Sequence, residues 1–447
     1  MSDLSSAELQ KQIEDLQRET KLLRAEREEL IDDKRITDIL LSKSDAIASE
    51  TDLDKLLTLI NDEARELLEA DRCTVFVLDD EKGELWSRVA TGIGRSEIRI
   101  PKDMGIAGHV ATTGESINIP DAYDDPRFNR DVDKATGYRT RALLCMPMRN
   151  RQQDTIGVVQ VLNKKEWGGR FDDKDEKLLE ILSTMAANQL EIAQLVDELQ
   201  KMFDSVVETL AATIDARDPI TAGHSKRVTL YCLQVAEQLN FDQKQKDLLR
   251  YSALLHDYGK IGVREAVLTK DGRLEDDEYK HIQTHVVLSK EILRKMYFRK
   301  DLRAIPEIAG AHHEKVDGSG YPKQSAGDTI PLMGRIMGIA DVFDALTYKR
   351  HYRDPMPIER VLKILESEQN KHFDPLVVRS FFSVPVSNIA SIIVHDAVGR
   401  LPKEDEETFT RYALGDFYSA VTRGKDQQSE GERRLVERFI DLYNSRS

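Results

Sequence analysis

The sequence predicts a multidomain α+β protein in which an α/β domain is joined by a long helix to an all-α domain. Three observations carry this prediction. Short β-rich runs (CTVFVLD, LWSRVA, SINIP, ALLCMPM and TIGVVQVLN), separated by Gly, Pro and Asp turns, fill the stretch from Cys73 to Asn163. An unbroken four–three rhythm follows, through Ile181, Met185, Asn188, Ile192, Leu195, Leu199, Met202 and Val206. From 203 to 383 the pattern is nearly all helical, with a few Gly/Pro loops.

The 447 residues, 40% of them hydrophobic, suffice for two cores, since a domain usually runs to about 100–200 residues. The formal net charge of −15 is spread along the chain, which argues against a nucleic-acid polymer as partner and leaves room for a small anionic ligand. Cys73, Cys145 and Cys232 form no CxxC pair and read as reduced, buried thiols. The start MSDLSSAELQ lacks a basic, apolar leader, and no later window offers the apolar run of about 20 residues that a membrane span needs. A soluble, cytoplasmic protein is expected.

In chain order, residues 1–45 place Leu9, Ile13, Leu16, Thr20, Leu23, Arg27 and Leu30 at alternating steps of four and three, a short imperfect coiled coil. A lone stripe of this kind calls for a partner, a second copy of the chain, unless it packs back on its own domain. Residues 50–195 open with a helical stretch and continue as a mixed sheet flanked by helices. The linker helix, 175–215, overlaps the domains on both sides. Asn188, at a seam position, either fixes register in a parallel dimer or is a tolerated polar residue. Residues 384–447 form a less patterned extension with no functional reading.

Seven of the ten histidines lie between His224 and His351. Several sit beside acids: His224 in TAGHSKRV, His256-Asp257 in LLHDYGKIGV, His285 in QTHVVLSKEIL, His312-His313 in AHHEKVDGSGYP, and Asp341 in GIADVFDALT. Imidazole with carboxylate suits iron, manganese or zinc, and more than four candidate ligands points to two metals. Asp257, with two oxygens, is the expected bridge between them. His281, four residues before His285, shares its helical face and competes for the same role.

HDYGKIGV, HHEKVDGSGYP and GIADVFDALTYKRHYR together resemble the HD-GYP family of cyclic di-GMP phosphodiesterases over residues 203–383. The resemblance implies an HD-type metal phosphohydrolase domain whose ligands are His224, His256, Asp257, His285 rather than His281, His312, His313 and Asp341. It makes Gly320-Tyr321-Pro322 the signature tripeptide and gathers Lys260, Tyr321, Asp344, Arg350 and Arg353 around the substrate, with Asp257, Lys260 and Asp344 in catalytic roles. Ile220 replaces the acid that three-metal members carry, so two divalent ions, iron or manganese, are expected. The implied reaction is hydrolysis of cyclic di-GMP to pGpG, GMP or both. A hybrid cyclic GMP-AMP substrate fits the same chemistry. His351 and Tyr258 depart from the family pattern and point to a slow cyclic di-GMP receptor as the alternative.

The stretch EIRIPKDMGIAGHVATTGESINIPDAYDDPRFNRDVDKATGYRTRALLCMPM resembles GAF domains of the cyclic-nucleotide-binding kind. Asn163-Lys164, Phe171 and Asp175-Glu176 supply that subclass's NK…F…DE pattern. By this resemblance Thr74, Ala107, Asp133, Thr136, Thr140 and Gln160 contact cAMP or cGMP, and a Lys164–Asp175 ion pair pins the lid segment to the sheet. The whole reads as a homodimer, joined through its helical coiled coils, in which the GAF ligand regulates the phosphodiesterase.

Overall fold

The structure, a computed structural model, describes residues 15–24, 27, 31, 34, 45–87, 97–165, 169–217, 223–270, 272–349, 354–394 and 401–445. The chain divides into two units, 1–202 and 203–447. In the first, helix α1 (Leu53–Leu67) starts where the Asp52 side chain accepts a hydrogen bond from the Lys55 amide. Leu56, Leu57, Ile60 and Ala64 recur at helical spacing and are buried.

The strands are β1 (Ala70–Asp79), β2 (Glu84–Ser87), β3 (Ile98–Pro101), β4 (Ile117–Ile119), β5 (Leu143–Arg149) and β6 (Thr155–Lys164), in the order β3-β2-β1-β6-β5-β4. Every pairing is antiparallel, which corrects the expected mixed sheet. Apart from β1 beside β6, each neighbour is also next in sequence, and no crossover helix joins two parallel strands. β3, four residues ending in proline at the sheet edge, was not anticipated.

Side-chain alternation gives the sheet two cores. Cys73, Val75 and Val77 of β1 pack with α1 and with Leu179, Leu182 and Ala186 of helix α4 (Asp173–Arg217). Phe76 faces the other way, with Leu143, Cys145, Val158 and helix α2 (Gly105–Thr113). Thr74 lies opposite Gln160 in the β1–β6 register, on this second face. Helix α3 (Arg130–Thr136) lies over the same face.

The 45-residue α4 begins with a reciprocal cap. The Asp172 carboxylate accepts from the Asp175 amide at 3.0 Å, and the Asp175 carboxylate accepts from the Asp172 amide at 2.9 Å. Ile192, Leu195, Leu199, Met202 and Val206 of its heptad seam are exposed. Residues 15–24 are also helical, with Leu16, Leu22 and Leu23 exposed; Leu9, Ile13 and Leu30 of the expected N-terminal seam lie outside the described residues.

The second unit is helical: α5 (His224–Gln238), α6 (Gln243–Leu254), α7 (Glu265–Leu268), α8 (Asp276–Leu293), α9 (Ile305–Ala309), α10 (Leu332–Thr347), α11 (Ile358–Ser367) and α12 (Pro375–Phe382). The chain after 384 is not a loose extension. It forms α13 (Val386–Val394), α14 (Lys403–Phe409), α15 (Leu414–Arg423) and α16 (Glu430–Asn444). Phe409, Phe417 and Phe439 join the same core as Phe343 and Phe381, with the Phe417 and Phe439 rings 4.8 Å apart. Arg438 grips the buried Asp405 through two bonds of 2.8 Å. The stripe Leu435, Val436, Phe439, Tyr443 is the helical signal that marks this region in the sequence. No described helix is long and apolar enough to cross a membrane, and all three cysteines are free and buried.

Phe439→Ala is expected to lower the unfolding free energy by about 3–5 kcal/mol, the range for emptying an aromatic site in a core. Urea denaturation checks this, and a loss below about 1 kcal/mol would show that α16 is not part of the core.

Candidate metal centre and ligand cavity

Short turns at helix ends deliver most of the clustered histidines. His224 is the first residue of α5, after Gly223 in the left-handed region (φ 70°). His256-Asp257 follows the end of α6, and a 3₁₀ turn, Tyr258–Gly262, comes next. That turn lies tight against α8: a Cβ on Gly259 would sit 1.9 Å from the His285 carbonyl oxygen, so only glycine fits. Ser289 locks the contact, accepting from the Gly259 amide and donating to the His256 carbonyl, both at 2.7 Å. Sequence reasoning gave Ser289 no role.

Three imidazoles are aimed by one device. The Nδ1 atoms of His256, His285 and His312 each lie 2.6 Å from the backbone carbonyl three residues earlier, at Ala253, Ile282 and Ala309. A carbonyl only accepts, so Nδ1 carries a proton, and in the neutral ring Nε2 turns its lone pair inward. All three Nε2 atoms are buried and have no hydrogen-bond partner. Burying an unsatisfied acceptor costs about 1–3 kcal/mol, and these three converge on one place.

That place is bounded by two carboxylates. Asp257 Oδ1 lies 3.2 Å from His285 Nε2 and 3.8 Å from His312 Nε2, and its Oδ2 lies 3.5 Å from His256 Nε2 and 3.8 Å from His224 Nε2. Asp341 is divided in the same way, with Oδ1 3.3 Å from His224 Nε2 and Oδ2 3.8 Å from His313 Nδ1. The donor atoms of His285, His312 and His313 fall within 4.8 Å of one another, as do those of His224, His256 and Asp341. Two three-residue groups, each able to hold a divalent ion, are thus straddled by two acids. Mixed imidazole and carboxylate donors in this number fit divalent metals such as iron, manganese or zinc.

The protonation states suit ligation. Burial opposes charge on Asp257, yet His256, Lys260 and His285 hold its carboxyl well below the usual range. Burial likewise opposes charge on Asp341, yet the hydrogen bond from His224 and the neighbouring His313 hold its carboxyl below the usual range. Burial pushes His313 down to about 4, and burial with His313 beside it pushes His312 well down. His224 differs: against burial, Asp341 and Asp344 push it up to about 9.

Asp344, expected among the substrate phosphates, lies behind the ligands instead. It is 2% exposed. Its Oδ2 is 2.8 Å from His224 Nδ1, and Arg227 donates to its Oδ1 at 2.7 Å and Oδ2 at 3.0 Å. A carboxylate on the far nitrogen of a ligand histidine fixes its tautomer and orientation, so Asp344 and Arg227 orient His224. The Arg227 guanidinium also stacks 3.6 Å from the Tyr348 ring centroid.

His281 is removed from the centre, accepting from the Arg264 amide at 3.1 Å, while His285 faces Asp257. Lys260 Nζ lies 2.7 Å from Asp257 Oδ2. The Tyr321 ring stacks on His313 with centroids 4.7 Å apart. Glu314, missed in the sequence, holds the loop after Tyr321 by accepting from the Lys323 and Ser325 amides at 2.7 and 2.8 Å. Arg350, Arg353, His351 and Ile220 lie outside the described residues.

In the first unit a cavity of about 150 Å³ is lined by all six expected ligand contacts: Thr74, Ala107, Asp133, Thr136, Thr140 and Gln160. Their geometry divides them. Asp133 and Thr140 are buried and bonded together, the Thr140 amide and hydroxyl donating to the carboxylate at 2.7 and 2.8 Å, with the Tyr123 hydroxyl a third donor at 3.2 Å. They brace the wall. Thr136 donates to the Val132 carbonyl of its own helix, and Gln160 Oε1 is 3.9 Å from Cys145 Sγ.

Lys164 meets Asp175 at 2.8 and 2.6 Å, a pair that ties β6 to the first turn of α4. The segment leading into β5 is held one residue earlier. Asn163 Nδ2 donates to the Tyr138 hydroxyl at 2.8 Å and the Arg139 carbonyl at 2.9 Å, and its Oδ1 accepts from the Arg141 amide at 2.7 Å.

Residues 52–190 match the GAF domain family and residues 208–377 the HD domain family. The chain is therefore a GAF domain followed by an HD domain. Among curated relatives, a 3′3′-cGAMP-specific phosphodiesterase 2 of Vibrio cholerae is 37% identical over 227 residues, 51% of this chain and 43% of that protein. The 3′3′-cGAMP-specific phosphodiesterase 3 of the same organism is 42% identical over 172 residues, 38% of this chain and 37% of that protein. A cyclic di-GMP phosphodiesterase of V. cholerae is 35% identical over 222 residues, 47% of this chain and 45% of that protein. The chain spans less than half the length of each of these relatives.

Asp344→Asn is expected to weaken metal binding about 10–100-fold, the usual cost of disturbing a ligand's outer partner, whereas His281→Ala retains metal like the parent protein. Metal content after dialysis, read by mass spectrometry, checks both. Full retention in the Asp344 variant would show that His224 needs no holder.

Proposed function

We propose that the chain is a cyclic dinucleotide phosphodiesterase that hydrolyses cyclic di-GMP, controlled by cAMP or cGMP at its GAF domain. The observation that carries the reading is the convergence of three buried, partnerless Nε2 atoms on Asp257. A pair of divalent ions, iron or manganese, held by His224, His256, Asp257, His285, His312, His313 and Asp341, supplies the Lewis acidity for phosphodiester hydrolysis. Asp257 and Asp341 each serve both halves of the centre. The Lys260 ammonium, beside Asp257, offsets charge that builds on the phosphate. Tyr321 offers a ring face and hydroxyl at the margin. Arg350 and Arg353 are assigned to the phosphates by the family resemblance alone, a guanidinium fork being suited to phosphate oxygens.

At the GAF cavity, the first amides of α2, near Gly105 to Ala107, precede the first intrahelical bond, from Gly108 to the Met104 carbonyl. Such amides attract an anion, which supports a cyclic phosphate there. Thr74 and Gln160, paired across β1 and β6, face the base, and an amide reads adenine or guanine equally well. The exposed seam of α4 supports a parallel homodimer.

A second reading keeps the enzyme and takes 3′3′-cGAMP as substrate. The two V. cholerae relatives specific for that molecule favour it. Both dinucleotides present the same two phosphodiester links.

Protein loaded with Fe(II) or Mn(II) is expected to cleave cyclic di-GMP faster than 3′3′-cGAMP, with the rate altered by cAMP or by cGMP, and Asp257→Ala abolishes turnover while the fold is kept. Chromatography of products across this panel decides. Tight binding of cyclic di-GMP without cleavage in every metal form would make the protein a receptor instead. Sedimentation of the parent chain should give a dimer and of Leu195→Asp/Leu199→Asp a monomer; a parent monomer would refute the seam.

A further inference from the structure

The last residue of α4 reaches the turn that carries Lys260. Arg217 donates through Nη1 to the Lys260 carbonyl at 3.2 Å and to the Ile261 carbonyl, and through Nη2 to the Val263 carbonyl at 2.7 Å. These three acceptors lie in or just after the 3₁₀ turn Tyr258–Gly262, whose own bonds run from the Lys260 amide to the Asp257 carbonyl and from the Val263 amide to the Lys260 carbonyl. On its other side the turn is fixed by the Gly259–Ser289 bond described above. One planar fork thus sets a carbonyl belonging to the residue whose ammonium touches Asp257.

We propose that Arg217 is a positioning residue for Lys260, so that the end of the long helix is part of the hydrolytic machinery. This rests on the phosphodiesterase reading. A fork that meets several carbonyls at once fixes the direction of the turn as well as its distance, and a lysine, a point charge on a flexible stem, cannot do both. The opposite end of α4 is tied in the GAF domain by the Lys164–Asp175 pair. Arg217 therefore ends the one helix that begins on the sensor sheet.

A double-mutant cycle separates positioning from general support. In full-length, metal-loaded protein, Arg217→Gln is expected to lower kcat for cyclic di-GMP about 10–100-fold, the range for small misplacement of a reacting group. KM and metal content stay near those of the parent. In a Lys260→Met background the same change should lower kcat less than about twofold, because the group it positions is gone. Arg217→Lys, which keeps the charge, should resemble Arg217→Gln in kcat. Hydrogen exchange supplies a readout independent of turnover: amides of 258–263 should exchange faster in Arg217→Gln. Equal losses of kcat in both backgrounds, or unchanged exchange at 258–263, overturns the proposal. A parent protein inert toward every cyclic dinucleotide would sink the phosphodiesterase reading alone, and the exchange result would then decide for Arg217.

Discussion

Burying imidazole nitrogens without protein partners is unfavourable, and the helical half of the chain is built to hold that arrangement in place. His256, His285 and His312 come from three different segments, yet each is oriented by the same bond from Nδ1 to a carbonyl three residues back. Each ring is thus oriented by the local backbone rather than by a distant segment. What the tertiary structure adds is convergence. Gly259 lets the HD turn touch α8, Ser289 stitches the two together, and Arg227 and Asp344 hold His224 from behind. The result is a centre in which burial holds His312 and His313 toward the neutral form a cation needs, while its acidic neighbours push His224 up.

The residues that form the centre were legible in the sequence because adjacent pairs such as His256-Asp257 and His312-His313 are chemically conspicuous. Those that orient it were not. Ser289 is one serine in an ordinary helix, Arg227 looks like a surface cation, and Glu314 sits beside two histidines that draw the eye. Their roles depend on which backbone they meet, and periodicity carries no such information. Asp344 is conspicuous but hard to place from the sequence: three residues after Asp341 on α10, it shares a helix face with it, and only the position of His224 shows that it meets that ring's Nδ1. The helices after 384 were underrated for a different reason. Most are short and separated by loops, so no long rhythm runs through them, although each contributes at least one apolar side chain to a shared core.

The sensor half shows the converse. The six residues expected to contact a ligand do line its cavity, since strand alternation and the position of a helix start are local properties. The division between residues that face the cavity and residues that brace it depends on bonds such as Asp133 to Thr140, which join positions seven apart across a turn. The motif lysine and acid do pair, across the junction of sheet and long helix.

The two cores of the sheet are separated by one strand's thickness. Along β1, Cys73, Val75 and Val77 touch the helix layer, while Phe76 belongs to the cavity side with Thr74. Genetic variation in this strand should therefore sort by parity. Changes at even positions reach the cavity side, and changes at odd positions reach the helix layer. A drifting sequence can then reshape the cavity without touching the helix layer, because neighbouring codons address opposite faces of the same wall.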